Sequence, residues 1–435
     1  MRITSPAAVV DAPVDPKCRF WPRMFQRPRR LADIAPAAPR LLAATLLAAA
    51  VLSGPAAPTL AAEPAELKIG VLRQPQPRET ISILETPAED ETLAGAELGA
   101  DDNNTTGVFS DQKFTPIDAI AQPEDDIAKA VAKLGDRGVS FVIADLPADR
   151  LLAAADAGKT RGMVFINSAA PDDSLREQDC RANIFHAAPT RSMLTDGLAQ
   201  YLVWKQWRRW LLIKGSHPQD EALAAAYRAS AKKFGAKIVE ERTFADAGGG
   251  RRSDTGVAQV QRQMPQLTQN APAYDVLVAA DESDVFAAYL PYRTWDPRPV
   301  AGSAGLRPES WSPAHEQWGA TQLQNRFYRL FKRPLRARDA QAWMAMRMIG
   351  EAATRTQSVD PKKIADYLAA PEFEIAAFKG QKLTIRPWNL QLRQPILLSD
   401  GRTVVSVSPQ EGFLHQTSTL DTLGADRPET KCKLR

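Results

Sequence analysis

Leu67-Lys68-Ile69-Gly70-Val71-Leu72 is a short apolar run ending at a loop, and Leu93, Ala96, Glu97, Leu98 and Ala100 follow it at helical spacing. The first reads as a buried strand and the second as a helix. The polar cluster Asn103-Asn104-Thr105-Thr106-Gly107 then predicts the helix end, a C-cap followed by a turn. Between them lies the acidic loop Glu85-Thr86-Pro87-Ala88-Glu89-Asp90-Glu91. A strand, a loop and a helix in this order begin an alternating α/β chain.

The alternation continues. A strand is expected at 112–120, and Glu124-Asp125-Asp126 places negative charge where a helix starts. Ile127, Val131 and Leu134 form the apolar stripe of that helix, closed by Gly135. The run at 139–144 is apolar enough to be buried on both faces, as in parallel sheets covered by helices. A helix at 151–157 and a strand at 163–166 complete this half. Around Ile184-Phe185-His186-Ala187-Ala188-Pro189-Thr190 the chain is expected to cross into a second half. There helices at 193–207, 219–234, 257–267 and 284–292 alternate with strands at 210–213, 237–243, 274–279 and 300–302, and 245–255 reads as a mobile loop. Helices at 316–331, 339–354 and 361–368 return to the first half; Met344, Met348 and Ala352 share one face of the second of these. Short strands at 382–385, 396–398 and 402–407 suit hairpins near a hinge. The fold class expected is α/β, two doubly wound lobes with parallel-type sheets joined by a multi-strand hinge. The lobes are expected at 67–187 with 315–375, and at 188–314 with 376–407; residues 408–435 form a C-terminal tail.

The stretch Ala94-Gly95-Ala96-Glu97-Leu98-Gly99-Ala100-Asp101-Asp102-Asn103-Asn104, after a strand containing Ile69-Gly70-Val71, resembles the first strand and helix of the leucine/isoleucine/valine-binding-protein family. That resemblance covers about 67–407 and implies a type I periplasmic binding protein fold that closes over its ligand by hinge motion. With its departures from the amino-acid pattern and its Cys-bearing tail, the chain resembles the ABC transporter substrate-binding subfamily that accompanies PQQ-dependent alcohol dehydrogenase systems. The resemblance implies a tie to alcohol oxidation or lanthanide acquisition, a permease partner at the inner membrane, and a monomer.

The first 62 of the 435 residues do not read as domain. Arginines up to Arg40 precede the apolar run at 41–52, and small residues lead to Ala61-Ala62, the n-, h- and c-region order of a secretory signal peptide. The run is short for a span, which needs about 20 apolar residues. A periplasmic location follows. The leader carries eight Lys and Arg against three Asp and Glu, so a precursor of net charge +4 becomes a mature chain of about −1. No basic face for nucleic acid is expected. Loss of the leader also removes Cys18 and leaves Cys180 and Cys432. In an oxidising compartment they are expected to pair and fasten the tail, the alternative being two free thiols.

Enzyme signatures fail one by one. Ala301-Gly302-Ser303-Ala304-Gly305 has Ala where a nucleophile elbow needs Gly. The four histidines, His186, His217, His315 and His415, have no metal-ligand spacing. Gly248-Gly249-Gly250-Arg251-Arg252 lacks the Lys-Ser/Thr ending of a phosphate loop. Asp102, Asn104, Thr106 and Gly107 begin like a calcium loop, but Lys113 stands where a bidentate Glu is required. Trp204 and Trp207 are expected to share a helical face and pack toward a sheet. No enzyme and no cofactor are expected.

Doubly wound sheets bind ligands at the carboxyl ends of their strands. The loops expected there offer Asp145, Asn167, Ser168, His217, Asp281, Glu282 and Ser303 as cleft residues. In the amino-acid-binding relatives the loop at 145–148 is small and Ser-rich. Here Asp145 repels an anion and Pro147 lacks an N–H. The acidic loops favour a cation or metal complex, with Asp145, Asp281 and Glu282 facing one cleft; a small alcohol or its oxidation product would need an apolar pocket with few charges. A ligand sensor or adaptor without transport is the alternative to a transporter component.

Overall fold

The computed structural model describes residues 64–75, 86–246 and 254–434. The signal-peptide reading of 1–62, Glu85, and residues 247–253 of the expected mobile loop lie outside them.

The first lobe begins with strand β1 (Ala65–Arg73), helix α1 (Leu93–Ser110), β2 (Gln112–Ile120), α2 (Ile127–Asp136), β3 (Phe141–Asp145), α3 (Ala148–Lys159), β4 (Val164–Asn167) and β5 (Ile184–His186). Its five strands are all parallel, in the order β2-β1-β3-β4-β5. The order reverses beside β1, which makes the ends of β1 and β3 the switch point. β3 and β4 are buried along their whole length, as continuous apolar strands between helix layers should be. The α2 stripe of Ile127, Val131 and Leu134 is buried, and Asp126 caps that helix through Ala128 N.

The polar cluster expected to end the first helix lies inside it. α1 continues to Ser110 and stops at Asp111, a left-handed residue. Tertiary hydrogen bonds offset the weak helix propensity. Asn103 Nδ2 donates to the Met346 carbonyl at 2.8 Å, and Asn104 exchanges bonds of 2.7 and 3.0 Å with the backbone of Phe114. Asp102 accepts from Arg326 and from Trp343 Nε1, so the calcium-loop lookalike lies within a helix. Gly95 and Gly99 let a second helix ride against α1: a Cβ on Gly95 would stand 1.9 Å from the Asp339 carbonyl oxygen.

The chain crosses after β5 into α4 (Arg191–Trp204), β6 (Arg209–Lys214), α5 (Pro218–Phe234), β7 (Lys237–Thr243), α6 (Asp254–Thr268), β8 (Val276–Ala280) and β9 (Val300–Gly302). This second sheet is also parallel, in the order β7-β6-β8-β9. The helix expected at 284–292 is only a 3-10 turn over Ala287–Tyr292, with Pro291 inside it. Trp204 is half exposed, at the end of α4, and stacks under Lys205. The helix stops before Trp207, so the expected shared face does not exist; Trp210 alone is fully buried.

Then come β10 (Arg307–Glu309), α7 (Ala320–Phe331), α8 (Ala337–Thr356), α9 (Pro361–Leu368), β11 (Ile375–Ala376), β12 (Lys382–Leu383), β13 (Ile396–Ser399) and β14 (Val404–Ser408). β10, β13 and β14 make an antiparallel sheet beside the second lobe. Return to the second lobe, expected at 376, happens later: Ala377, Leu383, Ile385, Leu390 and Leu392 pack in the first lobe's core, and Ile396 is the next residue to join the second. Trp311, assigned by sequence to the second lobe, packs in the first. Among the described residues no helix is long and apolar enough to cross a membrane.

Candidate functional site

The carboxyl ends of the first sheet present three loops. Asp145 closes β3 and is nearly buried; its Oδ1 accepts from Arg338 of α8 and its Oδ2 from the Thr92 hydroxyl, each at 2.6 Å. Asn167 closes β4. Its Oδ1 accepts the backbone N–H groups of Ala169 and Ala170, and its Nδ2 donates to the Ala170 carbonyl. Ser168 Oγ donates to the Ala144 carbonyl at 3.1 Å. Asn167 and Ser168 therefore spend their polar atoms on the loop and on the neighbouring strands β3 and β5.

Behind this loop Arg176 is fully buried. It donates to the carbonyls of Ala170, Asp172 and Ala188 and to Gln391 Oε1. Burial pushes its guanidinium down to about 9, against the raising charges of Asp173 and Asp172. One cation thus locks the β4 loop to the hinge segment holding Gln391.

In the second lobe His217 Nε2 meets Asp246 Oδ2 at 2.9 Å, and the His217 N–H donates to Asp220 at the start of α5. Asp281, 4 % exposed, accepts the N–H groups of Val285, Phe286 and Ala287 at 2.7–3.0 Å. Burial raises its carboxyl even though those donors oppose the shift. Ser303 Oγ accepts from Asp281 N at 2.9 Å. Asp281 and Ser303 build the loop after β8.

Glu282 is the expected cleft residue that reaches outward, and it meets a cation that sequence reasoning missed. Arg191, the first residue of α4, grips Glu282 with Nε at 2.6 Å and Nη2 at 2.7 Å, and donates from Nη1 to Asp172 Oδ1 at 2.8 Å. Its own N–H donates to the Pro171 carbonyl at 2.8 Å. The loop after β4 and the loop after β8 are thereby joined through one guanidinium. Burial would lower Arg191, but the bonds and charges of Glu282 and Asp172 more than offset it and hold it raised.

The three carboxylates expected to face one another are each engaged elsewhere: Asp145 with Arg338 and Thr92, Asp281 with backbone donors, Glu282 with Arg191. Among the described residues no group of three or more His, Cys, Asp and Glu side chains could hold a metal ion. One acceptor is left over at the switch point. Gln74, directly after β1 and buried, hydrogen-bonds through its backbone N to the Asp145 carbonyl, while its Oε1 has no partner among the described residues. A cavity of about 320 Å³ lies elsewhere, at the amino ends of β4 and β5, lined by Met163, Val164, Phe185, Ala365 and Leu390.

The family profile described as periplasmic binding protein matches residues 86–398. The chain belongs to this family. Solved structures of similar fold include a leucine-, isoleucine-, valine-, threonine- and alanine-binding protein from Brucella ovis in a closed conformation, at 15 % identity and TM-score 0.62, covering 85 % of this chain and 99 % of that one. A solute-binding protein from R. palustris in complex with benzoate aligns at 13 % identity and TM-score 0.60, covering 85 % of this chain and 100 % of the other. A branched-chain amino acid transporter substrate-binding protein from Streptococcus pneumoniae, in complex with isoleucine, aligns at 16 % identity and TM-score 0.58, covering 79 % and 99 %. At these identities the likeness is one of fold. No curated protein matches. In this periplasmic binding protein the expected tail bridge is present: Cys180 and Cys432 form a disulfide with Cα atoms 5.7 Å apart.

Proposed function

We propose that this protein is the exported solute-binding component of an ABC-type uptake system, a monomer that holds a small organic solute between its two lobes and delivers it to a permease at the inner membrane. The observation that carries the reading is the pair of parallel sheets whose carboxyl-end loops meet through Arg191, where an α/β switch point takes a ligand. Gln74 Oε1 is an acceptor available at that switch point. A metal ion is the weaker ligand class, since each expected carboxylate already has arginine, hydroxyl or backbone partners. Within the tie to PQQ-dependent alcohol oxidation, which rests on the sequence resemblance, the engaged carboxylates count against a lanthanide and leave an alcohol or its oxidation product as the class to test.

The deciding experiment is calorimetric titration of the exported protein with small alcohols, aldehydes, aliphatic and aromatic carboxylates, amino acids, calcium and lanthanum. Saturable binding of one organic class, weakened by Gln74→Ala, supports the reading. A protein that binds none of them favours the second reading, a periplasmic sensor or adaptor without transport. That alternative draws on the interlobe Arg191 bridge, which ties the two loops together through the chain's own side chains.

A further inference from the structure

Beyond Ser408 the chain stays on the body. Ser408 Oγ donates to the Gly197 carbonyl at 2.6 Å and Gln410 N to Gln200 Oε1 at 3.0 Å, both on α4. Leu423 joins the second lobe's core. Gly424 N donates to Asp196 Oδ2 at 2.8 Å, and the same carboxylate accepts Ser230 Oγ and Lys233 Nζ from α5. Asp421 is buried between Arg386 and Arg393, 2.8 Å from each, and Arg386 also donates to the carbonyls of Leu420 and Leu423. Those two arginines flank Ile385, Leu390 and Leu392 of the first lobe's core. The last residues reach the first lobe itself: Lys431 N donates to Glu177 Oε2 at 2.6 Å, and Cys432 is bonded to Cys180.

We propose that residues 409–432 are a strap that limits how far the two lobes separate, seated on α4 and α5 of the second lobe and covalently fixed to the first. Cys432 lies eight positions after Gly424, a length that fully extended spans roughly 27 Å. Part of that length is folded into a turn, with the N–H groups of Glu429 and Thr430 donating to the Asp426 carbonyl. Opening can draw out that turn and no more, because Gly424 is held to the second lobe by Asp196 and Lys233 and the disulfide holds the far end to the first. The bond borders a surface groove lined by Lys159, Gln178, Arg181, Lys431 and Lys433. The functional consequence, a ceiling on cleft opening, rests on the solute-binding reading; the test does not.

The test compares ligand-free exported protein with its Cys180→Ser/Cys432→Ser variant by small-angle X-ray scattering and by hydrogen exchange of residues 384–394. Wild type is expected near the compact radius of gyration for its size, roughly 21 Å. The variant should shift to a larger radius and exchange its hinge amides roughly tenfold faster, a typical coupling between linked sites. Superimposable scattering and unchanged hinge exchange overturn the proposal even if the variant melts earlier, because the bond is then a staple for stability alone. Should the serine pair fail to fold, wild type before and after reduction with dithiothreitol gives the same comparison. If the strap fails while solute binding persists, only the strap is lost; if solute binding fails, the mechanical result still stands.

Discussion

Arg191→Met tests whether the interlobe contact holds the cleft together. The guanidinium makes three charge-assisted bonds of 2.6–2.8 Å, two of them bidentate to Glu282. Its side chain is 9 % exposed, while Glu282 and Asp172 retain 30 % and 34 %. Exposed pairs contribute about 0.2–1 kcal/mol, and close desolvated pairs reach about 1.5–7 kcal/mol. The bond that spans the lobes is the one to Asp172, and one buried and one part-exposed partner place the Arg191–Asp172 coupling at about 1.5 kcal/mol, or roughly tenfold in an equilibrium constant. The assay is a double-mutant cycle of Arg191→Met, Asp172→Asn and the pair, read by urea unfolding. Because the arginine is shielded, the coupling should persist in high salt. A coupling below about 0.5 kcal/mol, or one abolished by salt, refutes the claim that this contact joins the lobes and makes it a surface pair.

Asp421→Asn should cost about 3 kcal/mol in urea unfolding, because it leaves Arg386 and Arg393 buried beside a neutral group; a loss under about 1 kcal/mol would show that water reaches the arginines. Lys379 is buried, donates among the described residues only to Gln394 Oε1 and the Pro395 carbonyl, and is pushed down by burial to about 7. Between that value and its unfolded value near 10.5 the unfolded chain binds the extra proton, so stability rises with pH through this window, by up to about 1.4 kcal/mol per pH unit. Lys379→Met should flatten that rise, and a pH profile parallel to wild type would contradict it. Asp145→Asn should cost about 1–2 kcal/mol through the Arg338 and Thr92 contacts and leave the calorimetric response to calcium and lanthanum ions unchanged; a cation response lost in this variant would restore the metal reading.

Periodicity made most of the framework legible. The bounds of β2, β7, β9 and α9 can be read directly, and the stripe of Ile127, Val131 and Leu134 is the buried face of α2. Errors fall where partners lie far along the chain. Asn103 and Asn104 have the local character of a helix stop, and only Met346, Arg347 and Phe114 make them helical. β11 has two residues, too few for alternation to reveal, and of the strand expected at 382–385 only Lys382–Leu383 pair, so the late return to the second lobe left no periodic signal.

The acidic loops were misleading for a related reason. A loop carboxylate is visible in sequence, whereas the base that answers it is not: Arg338 stands 193 positions from Asp145, and Arg191 stands 91 from Glu282. In a mature chain close to neutrality most acids have a base available, so the prior for a charged loop is an internal pair. That changes what the cleft asks of a ligand. If the Arg191 bridge exists only when the lobes are together, it biases the empty protein toward the closed form, and a solute that binds that form gains affinity from it. If instead the solute must take the place of Arg191 against Glu282 or Asp172, the same bridge competes, and loss of the arginine tightens binding. The two cases have opposite signs under Arg191→Met. The sign decides because a bridge can only favour the state in which it is made.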